Sequence, residues 1–254
     1  DVETIADIMM GEKTTRSVRS DNTDHKSPPL LRAEGIGLKG FPDSSIDFQL
    51  QPGEIVAMAG PVGSGKEILA QILAGQETPT RGTVSSSSGT LPTIGYVPTD
   101  RHASGYVGIL GVRENVALGG LEELSNRLGF IRQKREADHV RELTRQTNVI
   151  ASSLEQAVGH LSGGNQQKVV FARALCRSPN VLVALSPTRG VDVGAKEQLY
   201  ALLRGLALGR GRAFSAKRGS GSFSGRRAFF ASRGGSGAGL SAGASSRRAA
   251  SPDP

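Results

Sequence analysis

Two glycine-rich turns hold the residues best suited to chemistry. GPVGSGKE, from Gly60 to Glu67, joins the continuous apolar run EIVAMAG to the amphipathic stretch EILAQILAG. A chain of phosphates carries dense negative charge, and backbone N–H groups can surround it only where no side chain stands in the way. Gly60, Gly63 and Gly65 give that access, with Ser64 between two of them, and the start of a helix adds its positive pole. Lys66 supplies a point charge. The second turn, LSGGNQQK from Leu161 to Lys168, also opens a helix. Serine is a preferred N-cap type, so Ser162 with Gly163 and Gly164 reads equally as an anion-binding turn or as a simple helix cap.

The first turn matches the P-loop pattern at seven of eight positions and lies in the strand–loop–helix context that the pattern requires. The eighth position departs from it. Ser or Thr normally follows the lysine, because its hydroxyl ligates Mg²⁺; here the residue is Glu67. A carboxylate is a hard oxygen ligand and can bind Mg²⁺, yet it is larger than a hydroxyl and sets negative charge beside the phosphates. Nucleotide binding through Gly60, Gly63, Ser64, Gly65, Lys66 and Glu67, with weak or atypical Mg²⁺ dependence, is the expectation.

Together, a P-loop followed by LSGGNQQK resembles the ATP-binding-cassette (ABC) ATPases. The LSGGNQQK variant is similar to that of sugar-import ATPases whose single chain holds two cassettes in tandem. Three further segments carry the likeness in the expected order. VETIADIMMGEK resembles the connector leaving the first cassette. YVPTDR, Tyr96 to Arg101, resembles the segment at the Q-loop. PTRGVDVGAK, Pro187 to Lys196, is similar to the segment after the Walker B strand of the second cassette. The resemblance reaches from residue 1 to about 208. It implies an α/β P-loop NTPase cassette, a mixed sheet with helices plus a helical signature subdomain, and ATP with Mg²⁺ as cofactors. It also implies that Leu161, Ser162, Gly163, Gly164 and Gln166 face ATP held by a partner cassette, while Thr99 stands at the Q-loop and Asp192 at the D-loop. The implied partners are another cassette (the first half of the same parent chain), permease membrane subunits, and indirectly an extracytoplasmic solute-binding protein. The implied place is the cytoplasmic face of the membrane.

Departures from the family pattern decide what this chain can do itself. The Walker B strand should end in Asp-Glu before its proline, but Leu185 and Ser186 precede Pro187. Leucine has no oxygen to offer, and a serine hydroxyl titrates far too high for a general base. Thr99 replaces Gln or Glu. A switch histidine should follow Asp192 by some thirty residues, yet the four histidines are His25, His102, His139 and His160. They read better as surface or helical-subdomain structure. No residue is therefore assigned as catalytic or as a metal ligand, and the chain alone is expected to hydrolyse ATP weakly or not at all. A non-transport ABC-type ATPase, or a non-functional product of a damaged gene, remain open as alternatives.

The turns need rigid elements to aim them. SSIDFQL alternates as a half-buried strand, EIVAMAG and NVLVALSP read as buried strands, and RGTVSSSSG and TIGYVP as two more. Helices are expected at EILAQILAG, closed by Gly75, at VRENVALGGL, at RQKREADHVRELTRQTNV, in the second glycine turn's LSGGNQQKVVFARAL, and at AKEQLYALLRGLA. The helical subdomain spans about 101–160, within a nucleotide-binding domain of 29–208. Residues 1–28 read as an inter-cassette connector, in which Val2, Ile5, Ile8 and Met9 share one helical face before a polar linker ends at Pro28 and Pro29.

The chain has 254 residues, 37% apolar and 21% charged, with a net charge of +8. From Gly209 to Pro254 nine basic residues face one acid, which accounts for the whole surplus. A basic face on a fold is what nucleic-acid binding requires, so no nucleic-acid partner is expected. The single cysteine, Cys176, excludes a disulfide framework. Ten Gly, ten Ser and nine Ala among the last 46 residues lack apolar periodicity. Residues 209–254 are accordingly expected to be a disordered, low-complexity basic tail, and the abrupt change of composition reads as a truncated or frame-shifted end.

Overall fold

The computed structural model describes residues 28–60, 63–207 and 228–234. The connector read at 1–28, with its expected helix, lies outside the described residues except for its last position. The tail lies outside them except for 228–234.

A small antiparallel sheet comes first. Strand β1, Leu31–Leu38, pairs with β2, Phe41–Leu50, and its other edge takes β4, Arg81–Ser85. In β1 the buried apolar residues are Leu31, Ala33, Ile36 and Leu38, so the alternation changes phase between Ala33 and Ile36. The pairing explains the change: Ala33 faces Phe48 and Ile36 faces Ile46, so β1 carries one extra residue there. This β-bulge at Glu34–Gly35 keeps both halves of the strand on the core side.

The second sheet is parallel, in the order β3 (Ile55–Gly60), β7 (Ala228–Gly234), β6 (Val181–Leu185), β5 (Ile94–Val97). All five residues of β6 are buried. Successive side chains of a strand leave on opposite faces, and β6 divides them between two cores. Val181, Val183 and Leu185 join Leu69 and Leu73 of helix α1 (Lys66–Leu73) and the apolar face of β1. Leu182 and Ala184 join Val169, Phe171 and Leu175 of α5 (Gly163–Leu175) and Leu199 and Leu203 of α6 (Val193–Ala207).

Strand β7 falls within the segment read at 209–254 as a disordered tail. Its seven residues lie between β3 and β6 and pair with both. The physical reason is local: Ala228–Ala231, AFFA, is an apolar run of strand type, and composition averaged over 46 residues hides it.

Residues 101–160 carry a wide π-type turn (Arg101–Gly105), α2 (Val112–Ala117), α3 (Leu121–Leu124), α4 (Gln133–Gln146) and a 3-10 turn (Val158–His160). Val116, Val140 and Leu143 seat them on α5. His139 Nε2 donates to the Cys176 carbonyl at 2.9 Å, tying α4 to the end of α5. Burial pushes the Cys176 thiol up to about 12, with the charges of Glu123 and Glu136 adding to the effect. The thiolate is the reactive form, so iodoacetamide at pH 8 should label Cys176 only as fast as the fold opens, as mass spectrometry would show. A folded-state pKa above the ordinary 9.0 means the folded chain holds this proton more tightly. The associated stability is full below pH 9 and is lost as the pH rises toward 12. Rapid labelling in native buffer would contradict the packing.

Candidate functional site

Of the first turn, all but residues 61 and 62 are described. Strand β3 ends at Gly60 and α1 begins at Lys66, with Gly63 and Gly65 at φ 82° and 81°. Gly65 has a second constraint. A Cβ there would stand 2.8 Å from Leu38 Cδ1 and 3.2 Å from Phe41 Cε2, because the tip of the β1–β2 hairpin presses on the turn. Its carbonyl accepts the first α1 hydrogen bond, from the Leu69 N–H at 3.0 Å. Lys66 is buried, whereas Gly63, Ser64 and Glu67 are exposed. Helix α1 turns Glu67 and Gln71 toward Tyr96 of β5. Burial raises the Tyr96 phenol above its ordinary value, a hydrogen bond with Gln71 opposes this, and the charge of Glu67 adds to it.

The end of β6 is apolar. Leu185 is 2% exposed, in the cluster with Leu69 and Leu73. Ser186 adopts φ 45°, unusual for a residue with a side chain, and its carbonyl accepts from the Arg189 N–H at 2.9 Å. The phosphates of a nucleotide therefore fit: glycine amides, a helix start and a lysine converge on one turn. After Lys66 stands a carboxylate, Glu67, where the pattern has a hydroxyl, and the end of β6 offers Leu185 and Ser186 in place of a carboxylate. Among the described residues no group of three or more His, Cys, Asp or Glu side chains is arranged to hold a metal ion.

The second turn is a genuine cap. Ser162 Oγ accepts from the Asn165 N–H at 3.4 Å and from Asn165 Nδ2 at 3.1 Å. Gln166 is buried, its Nε2 reaching the Val158 and Gly159 carbonyls at 3.4 Å. Asp192 caps α6 by accepting from the Ala195 N–H at 2.7 Å, and its Oδ2 lies 3.4 Å from where a Cβ on Gly164 would stand. A Cβ on Gly163 would lie 3.1 Å from both Arg101 Nη2 and the Gly190 carbonyl oxygen, so an added methyl there would make these neighbours give by a few tenths of an ångström. Leu161 is buried directly before the turn. Lys168 at the motif's end is structural. Its Nζ donates to the Asn148 carbonyl at 2.8 Å, and burial lowers its pKa while Asp192 opposes that shift.

Thr99 is half-buried after β5, and Asp100 caps the π-type turn. Asp100 Oδ1 accepts from the His102 and Ala103 N–H groups at 2.9 and 3.1 Å, which holds its carboxyl below the usual range. The site residues thus form two groups. One is the P-loop with Glu67, braced by the hairpin and β5. The other is the signature turn with Asp192. Sequence reasoning missed the hub of the second group, Arg101, although YVPTDR contains it; an arginine directly after a capping aspartate was the available signal.

Residues 44–189 match the family model described as ABC transporter. The ribose import ATP-binding protein RbsA 2 of Rubrobacter xylanophilus is 39% identical over 195 residues, covering 72% of this chain and 37% of that protein. The chain therefore spans little more than a third of that relative's length. Among solved structures, a dimeric ATP-binding cassette in a post-hydrolysis state, bound to ADP and Pi, superposes with a TM-score of 0.61 at 21% identity. That match covers 80% of this chain and 87% of the other. The protein cbiO1 from Clostridium perfringens, part of the ABC transporter complex cbiONQ, gives a TM-score of 0.63 at 19% identity over 82% and 80% of the two chains. At these identities the structures show the fold, which is the P-loop cassette built here from β3, α1, β6 and α5. The family match covers more than half of the chain, and the protein belongs to the ABC transporter family as an ATP-binding domain.

Proposed function

We propose that this chain is the second, degenerate cassette of a tandem sugar-import ATPase. It binds ATP at its own P-loop and completes a partner cassette's ATP site with its signature turn. One contrast supports this reading. The signature turn is fully formed, with Ser162, Gly163 and Gly164 at the start of a thirteen-residue helix, whereas buried Leu185 stands where a magnesium-handling carboxylate belongs. The relative's ribose-import role supports a sugar as the transported solute.

In this reading Lys66 and the amides of Gly63 to Glu67 hold phosphates, and Glu67 takes the place of the magnesium-binding hydroxyl. The signature amides meet the terminal phosphate held by the first cassette. Closure brings preorganised donors to that phosphate and expels water, and reopening passes the motion to permease subunits on the cytoplasmic face of the membrane. No helix among the described residues is long and apolar enough to cross a membrane. On this proposal the permease subunits supply the membrane-spanning part, and an extracytoplasmic receptor delivers the solute to them.

Equilibrium titration with a fluorescent ATP analogue tests the binding half. The wild type should bind, with affinity changing little when EDTA replaces Mg²⁺. Lys66→Ala should weaken binding roughly 10- to 150-fold, the worth of one charge-assisted contact of about 1.5–3 kcal/mol. Equal affinity in the variant would remove Lys66 from the site. Strong Mg²⁺ dependence would mean that Glu67 coordinates metal as a serine would.

A further inference from the structure

We infer that Arg101 is a positioning residue that fixes the signature turn and the Arg189–Asp192 loop as one unit, so that both reach a partner-held nucleotide together. The inference rests on the proposed role of the signature turn. Arg101 begins the π-type turn directly after β5, Thr99 and Asp100. Its guanidinium reaches three acceptors on two other segments. Nε donates to Gln166 Oε1 at 3.3 Å, Nη1 to the Arg189 carbonyl at 3.0 Å and Nη2 to the Gly190 carbonyl at 3.3 Å. A planar fork with five N–H donors can hold such a set; a lysine ammonium, a compact point charge, cannot span it.

The place of these contacts separates positioning from ordinary surface packing. Gln166 lies one turn into α5 and is itself held by the Val158 and Gly159 carbonyls. Gly190 is at φ 66° and leads into Asp192, which approaches Gly164. A Cβ on Gly163 would stand 3.1 Å from both Nη2 and the Gly190 carbonyl oxygen, so the first residue of α5 lies against this hydrogen bond. Three segments distant in sequence therefore meet at the first residues of α5, and one side chain links them. Without it, the 189–192 loop and the signature amides lose their common reference. The segment after β5, which stands at the Q-loop, also loses its connection to both.

The full chain should be paired with an intact first cassette, and ATP turnover, KM, nucleotide-driven association and thermal midpoint measured for Arg101→Ala and Arg101→Lys. Both variants should lower kcat about tenfold or more, with lysine giving no rescue. Binding of the fluorescent ATP analogue at this chain's own P-loop should stay close to wild type. Amide exchange should quicken at 163–166 and 189–192 together. Rescue by lysine, exchange rising in only one of the two segments, or failure of both variants to fold would overturn the inference. Ser162→Arg run in parallel separates the two ideas. If it abolishes turnover while the Arg101 variants do not, the positioning role alone is wrong; if it has no effect, the proposed function is wrong as well.

Discussion

Paired with an intact first cassette, Ser162→Arg should reduce ATP turnover by about a hundredfold or more, while Lys66→Ala reduces it only a few-fold. The expected size follows from the donors at stake. Losing one preorganised donor to developing charge typically costs about 10²–10³ in rate, and an arginine at Ser162 blocks the turn and displaces the donors beside it. Lys66 serves the other site, where the end of β6 offers Leu185 and Ser186 and no carboxylate. On the proposed reading, its loss empties a site of low turnover. Ser162→Ala is the control for a purely structural cap, since it should cost about 1 kcal/mol of stability. If turnover falls only in proportion to that destabilisation, the turn is a cap and no more. If Lys66→Ala is the more damaging substitution, the degenerate site is the working one.

Phe230→Pro should lower the thermal midpoint by roughly 5–10 °C, on about 2–4 °C per kcal/mol for a domain of this size. Strand β7 pairs on both sides, with Phe230 beside Val56 of β3 and Val183 of β6. Proline brings no N–H, and in the middle of a sheet it interrupts the ladder. Each interior carbonyl left unmet costs about 1–3 kcal/mol. Circular dichroism melts would show the shift. Amide exchange should show protection at 228–234 in the wild type and its loss in the variant. An unchanged midpoint would mean that β7 contributes nothing to the sheet.

The parts of this fold legible in the sequence were those whose signals are local. Strand β3, the glycine turn and α1 are contiguous, so one stretch of residues reveals strand, loop and helix together. The buried strand β6 and helix α5 were equally plain, because five apolar residues in a row and a capped amphipathic run are short-range patterns. Strand β1 was not, since its bulge moves the apolar positions from odd to even and breaks the period that a reader looks for. Strand β7 hid inside a glycine- and serine-rich context, and only its two neighbours, distant in sequence, select it. Arg101 was visible as a residue but not as a hub. Its three acceptors belong to residues 166, 189 and 190, and no spacing rule connects them.

The position of β7 also governs the order in which this chain can fold. Strand β3 is complete at Gly60, yet the neighbour that closes its edge begins at Ala228 and is made more than 160 residues later. Pairing across such a separation raises contact order and slows folding. Until it forms, β3 and β6 each present an open edge, the kind of surface that recruits other chains. Refolding from denaturant should therefore be slow and sensitive to protein concentration, with the P-loop strand among the last to gain protection. The helical region of 112–146, made of local contacts, should be protected early. The turn proposed to bind phosphate is written early in the chain, and it should become rigid only when β7, the last described strand, arrives.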